Sequence, residues 1–264
     1  MIYRLDMLPE KNINPITRQE YDNSWIILML TDTPDYQQMC GSSDGGAYTI
    51  RLSRSQYKNW EMAVGDFIDF SEANEKNAIL VISEADFKTA ESHYKGHRYN
   101  ESSLRDDEPS VLIHSTPMNN WKQIKLDGML KCWNMLKSEK TIVEERPIGT
   151  WLGDPMDFSD YIMFGGGITG EIVVNSKQQG RIVMDNNAEY LTGARLYFDA
   201  KRIAQDGLLI RDGCHLKVKN MLPLKPYLIW AATWETIGLS SQISTPKIFS
   251  KQADKKFQSI SQLQ

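Results

Sequence analysis

Val111-Leu112-Ile113-His114-Ser115-Thr116-Pro117 joins an apolar run to a histidine, two hydroxyl residues and a proline in direct succession. The apolar run reads as a strand, Ser115 and Thr116 stand in capping position, and Pro117 opens a helix. Trp121 and Ile124, three residues apart, give that helix an apolar side, and Asp127-Gly128 stops it. A strand, a histidine and a helix start so close together place an imidazole and two hydroxyls beside the free N–H groups of a helix N-terminus. Phosphate oxygens are favoured there. The alternative is a histidine that merely ends a core strand and bonds locally.

The chain has 264 residues, 41% hydrophobic and 24% charged, enough for a sizeable core and two domains of ordinary size. A formal net charge of −4 argues against a protein that coats nucleic acid by bulk electrostatics, although a local basic groove is compatible with it. No apolar stretch approaches the roughly 20 residues of a membrane span, and Met1–Asp6 lacks a signal-peptide pattern, so a cytoplasmic location without membrane contact is expected. Cys40, Cys132 and Cys214 are scattered and odd in number, which suggests neither a disulfide framework nor a metal site.

The first hundred residues read as a small α/β domain. Trp25–Leu30 fits a buried strand, 47–52 a half-exposed one, and Ser53 a cap for a helix from Arg54 to Val64 ended by Gly65. Ala78–Ile82 and 84–94 read as a further strand and helix. The loop 41–46 is rich in glycine but lacks the lysine-hydroxyl pair of a triphosphate loop. Polar and charged residues between Lys95 and Pro109 form the best linker, giving an N-terminal α/β domain at 1–105 and a second domain at 106–264. His93 and His97 have an i, i+4 spacing that suits a metal on a helix, but Gly96 weakens such a helix and no third ligand is near.

In the second half, Tyr161–Phe164 leads into Gly165-Gly166-Gly167, and Glu171 reads as the entrance of an apolar strand Ile172-Val173-Val174. Glycines there allow a sharp turn or close approach to a ligand, with Glu171 as a candidate catalytic carboxylate or an edge-strand residue beside a turn. Further strands are expected at 180–184, 190–199 and 227–234, with Asp199 capping a helix 200–205 that Gly207 ends. Arg211-Asp212-Gly213 reads as a hairpin turn, and the polar stretch from Ser240 onward as a flexible tail.

Leu112–Thr116, Trp121, Ile124 and Gly128-Met129-Leu130 resemble the first block of the RNA 2′-phosphotransferase family, in which a His-Gly-Thr element is followed by tryptophan, isoleucine and Gly-Leu. The run Gly193-Ala194-Arg195, Leu196–Asp199, Ala204, Asp206-Gly207 resembles a second block of that family, in the same order. The resemblance covers part of the second domain and none of the first. It implies an α+β ADP-ribosyltransferase-like fold, a split mixed β-sheet that binds NAD across its cleft, preceded here by the smaller α/β domain.

Residue by residue, the resemblance makes His114 and Thr116 contacts to the NAD ribose, Ser115 the position whose backbone receives the nicotinamide amide, and Arg195 a pyrophosphate-binding arginine. A guanidinium fork suits that anion. The phosphotransferase family also carries an Arg-x-His-Ile-His element after Gly-Leu, and this chain has no histidine between His114 and His215. The wider superfamily, with a histidine-tyrosine-glutamate triad, fits better. His114 then holds NAD, Tyr161 or Tyr190 stacks on nicotinamide, and Glu171, with Glu235 as fallback, stabilises the oxocarbenium-like sugar left by nicotinamide.

The expectation is an enzyme, an NAD-dependent ADP-ribosyltransferase using NAD as substrate on a macromolecular acceptor. RNA or DNA is favoured over protein by a rim of Lys122, Lys125, Lys131, Lys201 and Arg202. An RNA 2′-phosphotransferase relative and an inactive NAD- or RNA-binding module are the alternatives. Oligomeric state and the role of the first domain stay open.

Overall fold

A computed structural model describes every residue except 11, 34–38, 41–45, 95–97, 142–147, 152–153 and 263–264. The chain divides into two units, neither of them continuous. One takes Met1–Glu101, Glu144–Ser159 and Leu209–Leu216; the other takes Ser102–Val143, Asp160–Leu208 and Lys217–Gln264. The break after Glu101 falls in the expected linker, but a single division at 105/106 misses two later segments that belong to the first unit.

The first unit holds strands β1 (Ile2–Leu5), β2 (Trp25–Thr31), β3 (Met39–Cys40), β4 (Tyr48–Ser53) and β5 (Asn77–Val81), with helices α1 (Trp60–Ala73) and α2 (Glu84–Tyr94). The sheet order is β1-β5-β2-β4-β3, parallel except for the antiparallel edge strand β3. Central β2 is apolar along most of its length because both its faces are covered, and on one of them Trp25 and Ile27 pack with Leu8 and Tyr21 of the connection that precedes β2. Ile27, Leu28, Ile50, Ile79 and Leu80 are buried there. Helix α1 begins six residues later than expected from Ser53, which is a buried strand end, and runs straight through Gly65. Phe67 and Phe70, beyond that glycine, bury the helix's later turns, so packing overrides the stop signal. Segment Leu209–Leu216 carries the Asp-Gly turn into this core. A Cβ on Gly213, at φ +92°, would stand 2.7 Å from the Ala63 carbonyl oxygen, so only glycine fits.

The second unit is α+β. Its elements are β6 (Val111–Thr116), α3 (Met118–Asp127), β7 (Met129–Lys131), α4 (Trp133–Ser138), β8 (Tyr161–Met163), α5 (Thr169–Gln179), β9 (Tyr190–Leu191), β10 (Ala194–Asp199) and α6 (Ala200–Gln205). After β11 (Ile210–Arg211), which lies in the first unit's segment, come β12 (Leu216–Lys219), β13 (Met221–Pro223), α7 (Leu224–Tyr227), β14 (Leu228–Ala232), β15 (Ile243–Ser244) and α8 (Pro246–Ser261). β10 is central in an antiparallel sheet β14-β10-β6. β8 pairs with Lys217–Lys219, β7 with β13, and β9 with β15.

Four local expectations fail here. Ile172-Val173-Val174 is helical, because the stretch continues through Asn175–Gln179 to a left-handed Gly180 and packs Glu171, Val174 and Asn175 inward at helical spacing. Residues 180–184 form no strand. The supposed tail from Ser240 is β15 and α8; Phe249, Ala253 and Phe257 recur at four-residue spacing and are buried. Polar composition hid that stripe. The helix after β6 starts at Met118 with Pro117 as its N-cap and no side-chain cap bond, so Ser115 and Thr116 are strand residues rather than caps.

Candidate functional site

Successive strand side chains point to opposite faces, so His114 and Ser115 look away from each other across β6. Leu112, His114 and Thr116 share one face with Leu196 and Phe198 of β10; Val111, Ile113 and Ser115 share the other with Arg195 and Tyr197. Contacts on the two faces bear this out. The Phe164 ring stands edge-on to His114 at 6.4 Å and to Phe198 at 5.9 Å. Ser115 instead meets Glu171.

His114 lies at the free edge of the sheet, where the chain leaving β8 passes it. Its Nδ1 is 3.1 Å from the Met163 carbonyl oxygen, and Gly165 donates its N–H to the Ile113 carbonyl at 3.0 Å. A carbonyl only accepts, so Nδ1 carries the proton and Nε2 is left as an acceptor. Burial pushes the His114 pKa down to about 4, the Met163 bond partly opposing it and Lys177 assisting, so the ring is neutral at pH 7. Because the Ile113 carbonyl points away from β10, strand alternation turns the Ser115 backbone N–H and C=O to that same edge. Glycines 165–167 let the chain wrap this edge from the His114 face to the other, where the Gly167 carbonyl accepts from Arg195.

On the far face, Glu171 is fully buried. It accepts the Ser115 hydroxyl at 2.5 Å and the Tyr190 hydroxyl at 2.6 Å, with Arg195 Nη1 at 3.4 Å. Arg195, also fully buried, donates Nε and Nη2 to Asp254 of α8 at 2.9 and 3.2 Å, and Tyr197 donates its hydroxyl to Asp254 at 2.7 Å. Burial raises the Glu171 pKa, with Ser115, Tyr190 and Arg195 opposing; it raises the Tyr190 pKa as well, helped by the Glu171 charge. For Arg195 burial pulls downward, but Asp254, Tyr197 and Glu171 more than offset it and hold the guanidinium charged. This is a hydrogen-bonded ionic network that runs from the core out to the partly exposed Asp254. No family model, curated protein or solved structure matches the chain.

The residues singled out from sequence therefore separate. His114 and the Ser115 backbone stay together at the edge of β6, and Thr116, on the His114 face, is buried. Glu171, Tyr190 and Arg195 come together, but on the opposite face and without exposure, so as placed none of the three meets a ligand held by His114. The expected roles of Glu171 as catalytic carboxylate, Tyr190 as stacking ring and Arg195 as pyrophosphate clamp have no geometric support. Tyr161 is buried too, with the buried Lys217 ammonium 4.4 Å from its ring centre. The aromatic residue that does stand beside His114 is Phe164. Its position between a strand and three glycines is visible in the sequence, where the triad resemblance points to a tyrosine instead. Glu235 is exposed on the turn after β14. The expected basic rim does not hold together either: Lys131 is paired with Asp127 and Glu139, α3 leaves the C-terminal end of β6, and α6 adjoins its N-terminal end through Ala200 and Ser110.

Among the described residues no group of three or more His, Cys, Asp or Glu is placed to hold a metal ion, and no helix is long and apolar enough to cross a membrane.

Proposed function

We propose that the second unit binds NAD at the edge of β6 and acts as an ADP-ribosyltransferase on a macromolecular acceptor. The observation that carries this reading is the His114 imidazole, held neutral with Nδ1 tied to Met163 and Nε2 left as an acceptor. A ribose hydroxyl is a fitting donor for it. The adjacent Ser115 backbone turns one N–H and one C=O to this edge, the complement of a carboxamide, with Gly170 of α5 packed against the same residue, and Phe164 supplies a flat ring beside the histidine. The separation of β6–β10–β14 from the β8 pair supports the split-sheet architecture that the sequence resemblance implies.

Transfer needs a carboxylate near the departing nicotinamide. Glu171 is committed to the core, and Glu235, the fallback carboxylate, follows β14 at the edge of the sheet opposite β6. Incubation with nicotinamide-labelled and adenine-labelled NAD, together with RNA, DNA or lysate protein, tests the assignment. Nicotinamide release with adenine label on an acceptor supports it, and the absence of both contradicts it.

A second reading, an NAD-binding module without transfer, is favoured by the burial of Glu171 behind the sheet. It predicts NAD binding with no nicotinamide release.

A further inference from the structure

Helix α8 presents two unlike faces. Phe249, Ala253 and Phe257 are buried, and Phe257 stacks on Tyr197 at 4.2 Å. The outer face carries Lys247, Lys251 and Lys255, all exposed, and the exposed Lys256 stands on the flank of that face, about a quarter-turn round the helix. The first three recur one turn apart, about 6 Å along the axis. The helix has one acidic residue, Asp254, and it is consumed by Arg195 and Tyr197. The outer face is thus a basic track whose one carboxylate, the partly exposed Asp254, is engaged by Arg195 and Tyr197, in a chain whose net charge is −4. Lys247 donates its backbone N–H to Asn186, which brings the loop of Asp185 beside the first turn, so Lys251 and Lys255 dominate the track, with Lys256 on its flank.

We infer that the outer face of α8 docks the phosphate backbone of single-stranded nucleic acid. Point charges one turn apart on a straight helix neutralise successive phosphates and release their counterions. An anionic membrane is a poorer fit, because an interfacial helix must sink its apolar face into lipid and this one has already packed that face on the sheet. Since α8 covers the face of β10 that carries Arg195 and Tyr197, the track lies behind the sheet from His114. It tethers nucleic acid away from the proposed NAD edge.

Fluorescence anisotropy with a labelled oligouridylate, without NAD, reads this surface independently of the NAD assignment. The wild-type chain should bind at low salt. A variant carrying Lys247→Gln, Lys251→Gln, Lys255→Gln and Lys256→Gln should bind at least about tenfold more weakly, with the slope of log K against log salt shallower by roughly 2–3, at about 0.7 per lost phosphate contact. Its circular dichroism and thermal midpoint should match wild type, since all four side chains are exposed. Lys122→Gln with Lys125→Gln should leave the anisotropy curve unchanged. Absence of wild-type binding, equal binding by the four-site variant, or lysine-dependent binding to phosphatidylserine vesicles with none to the oligonucleotide would each overturn the inference.

Discussion

Ser115 donates its hydroxyl to Glu171 over 2.5 Å on the side of β6 turned away from His114. That single bond ties the carboxylate to the interior and separates it from the histidine next door in sequence. Glu171 therefore acts on stability. Replacing it with Ala leaves buried Arg195, Tyr190 and Ser115 short of a partner and should cost about 3–5 kcal/mol in urea denaturation. Glu171→Gln, which keeps an acceptor, should cost less and leave NAD affinity within about twofold wherever the variant is folded. Selective loss of NAD binding in a fully folded Glu171→Gln protein would return the carboxylate to the ligand.

Neutral His114 makes the stability depend on pH in a stated direction. The unfolded imidazole takes up its proton near 6.5, the folded one only near 4. Stability is complete above 6.5 and is lost as the pH falls through that window, by on the order of 3 kcal/mol for this group. Asp154, raised to about 6 by burial, and Glu171 work in the opposite sense, so the informative quantity is the difference between wild type and His114→Gln. That difference should shift against wild type between pH 7 and pH 4. A constant difference excludes a buried neutral His114.

Gly193 sits against β6 so closely that a Cβ would lie 1.9 Å from the Thr116 carbonyl oxygen. Gly193→Ala must push apart the β6–β10 pair and should lower stability by at least about 2 kcal/mol. Gly128→Ala has open space and pays only left-handed backbone strain at φ +70°, about 1–2 kcal/mol. Equal costs in chemical denaturation would show that the strand contact is looser than described.

Helix α8 supplies Asp254 to Arg195 and Phe257 to Tyr197, so it belongs to the fold. Truncation after Thr245 should abolish the cooperative unfolding transition of the second unit, followed by near-ultraviolet circular dichroism. A truncated chain with an unchanged transition would make the segment a dispensable tail.

Elements with matching local and tertiary signals were legible in the sequence. Residues 84–94 form α2, and Asp199 caps α6 by accepting the Arg202 N–H at 3.0 Å. The β6 strand with its Gly128-terminated helix was equally clear, since Gly128 adopts the left-handed conformation that ends α3. Where propensity and packing disagreed, packing prevailed. The β-branched run 172–174 turned helical, and the Ser-, Gln- and Lys-rich end became an ordered helix because three apolar residues found a sheet. The site was half legible. Sequence order brought out His114 and Arg195 as a pair, and they do sit on adjacent strands, but the alternation of one strand residue decides which face each side chain takes. Leu196, not Arg195, stands opposite His114. That register is a tertiary fact.

The most direct test is nitrogen-15 histidine NMR at neutral pH, with His114 assigned by substitution, before and after saturation with NAD. His114 should show a protonated Nδ1 and an unprotonated Nε2, and NAD should move the Nε2 resonance in the direction of hydrogen-bond acceptance. An Nε2-protonated tautomer, or an Nε2 resonance that saturating NAD leaves in place, would contradict NAD binding at this edge.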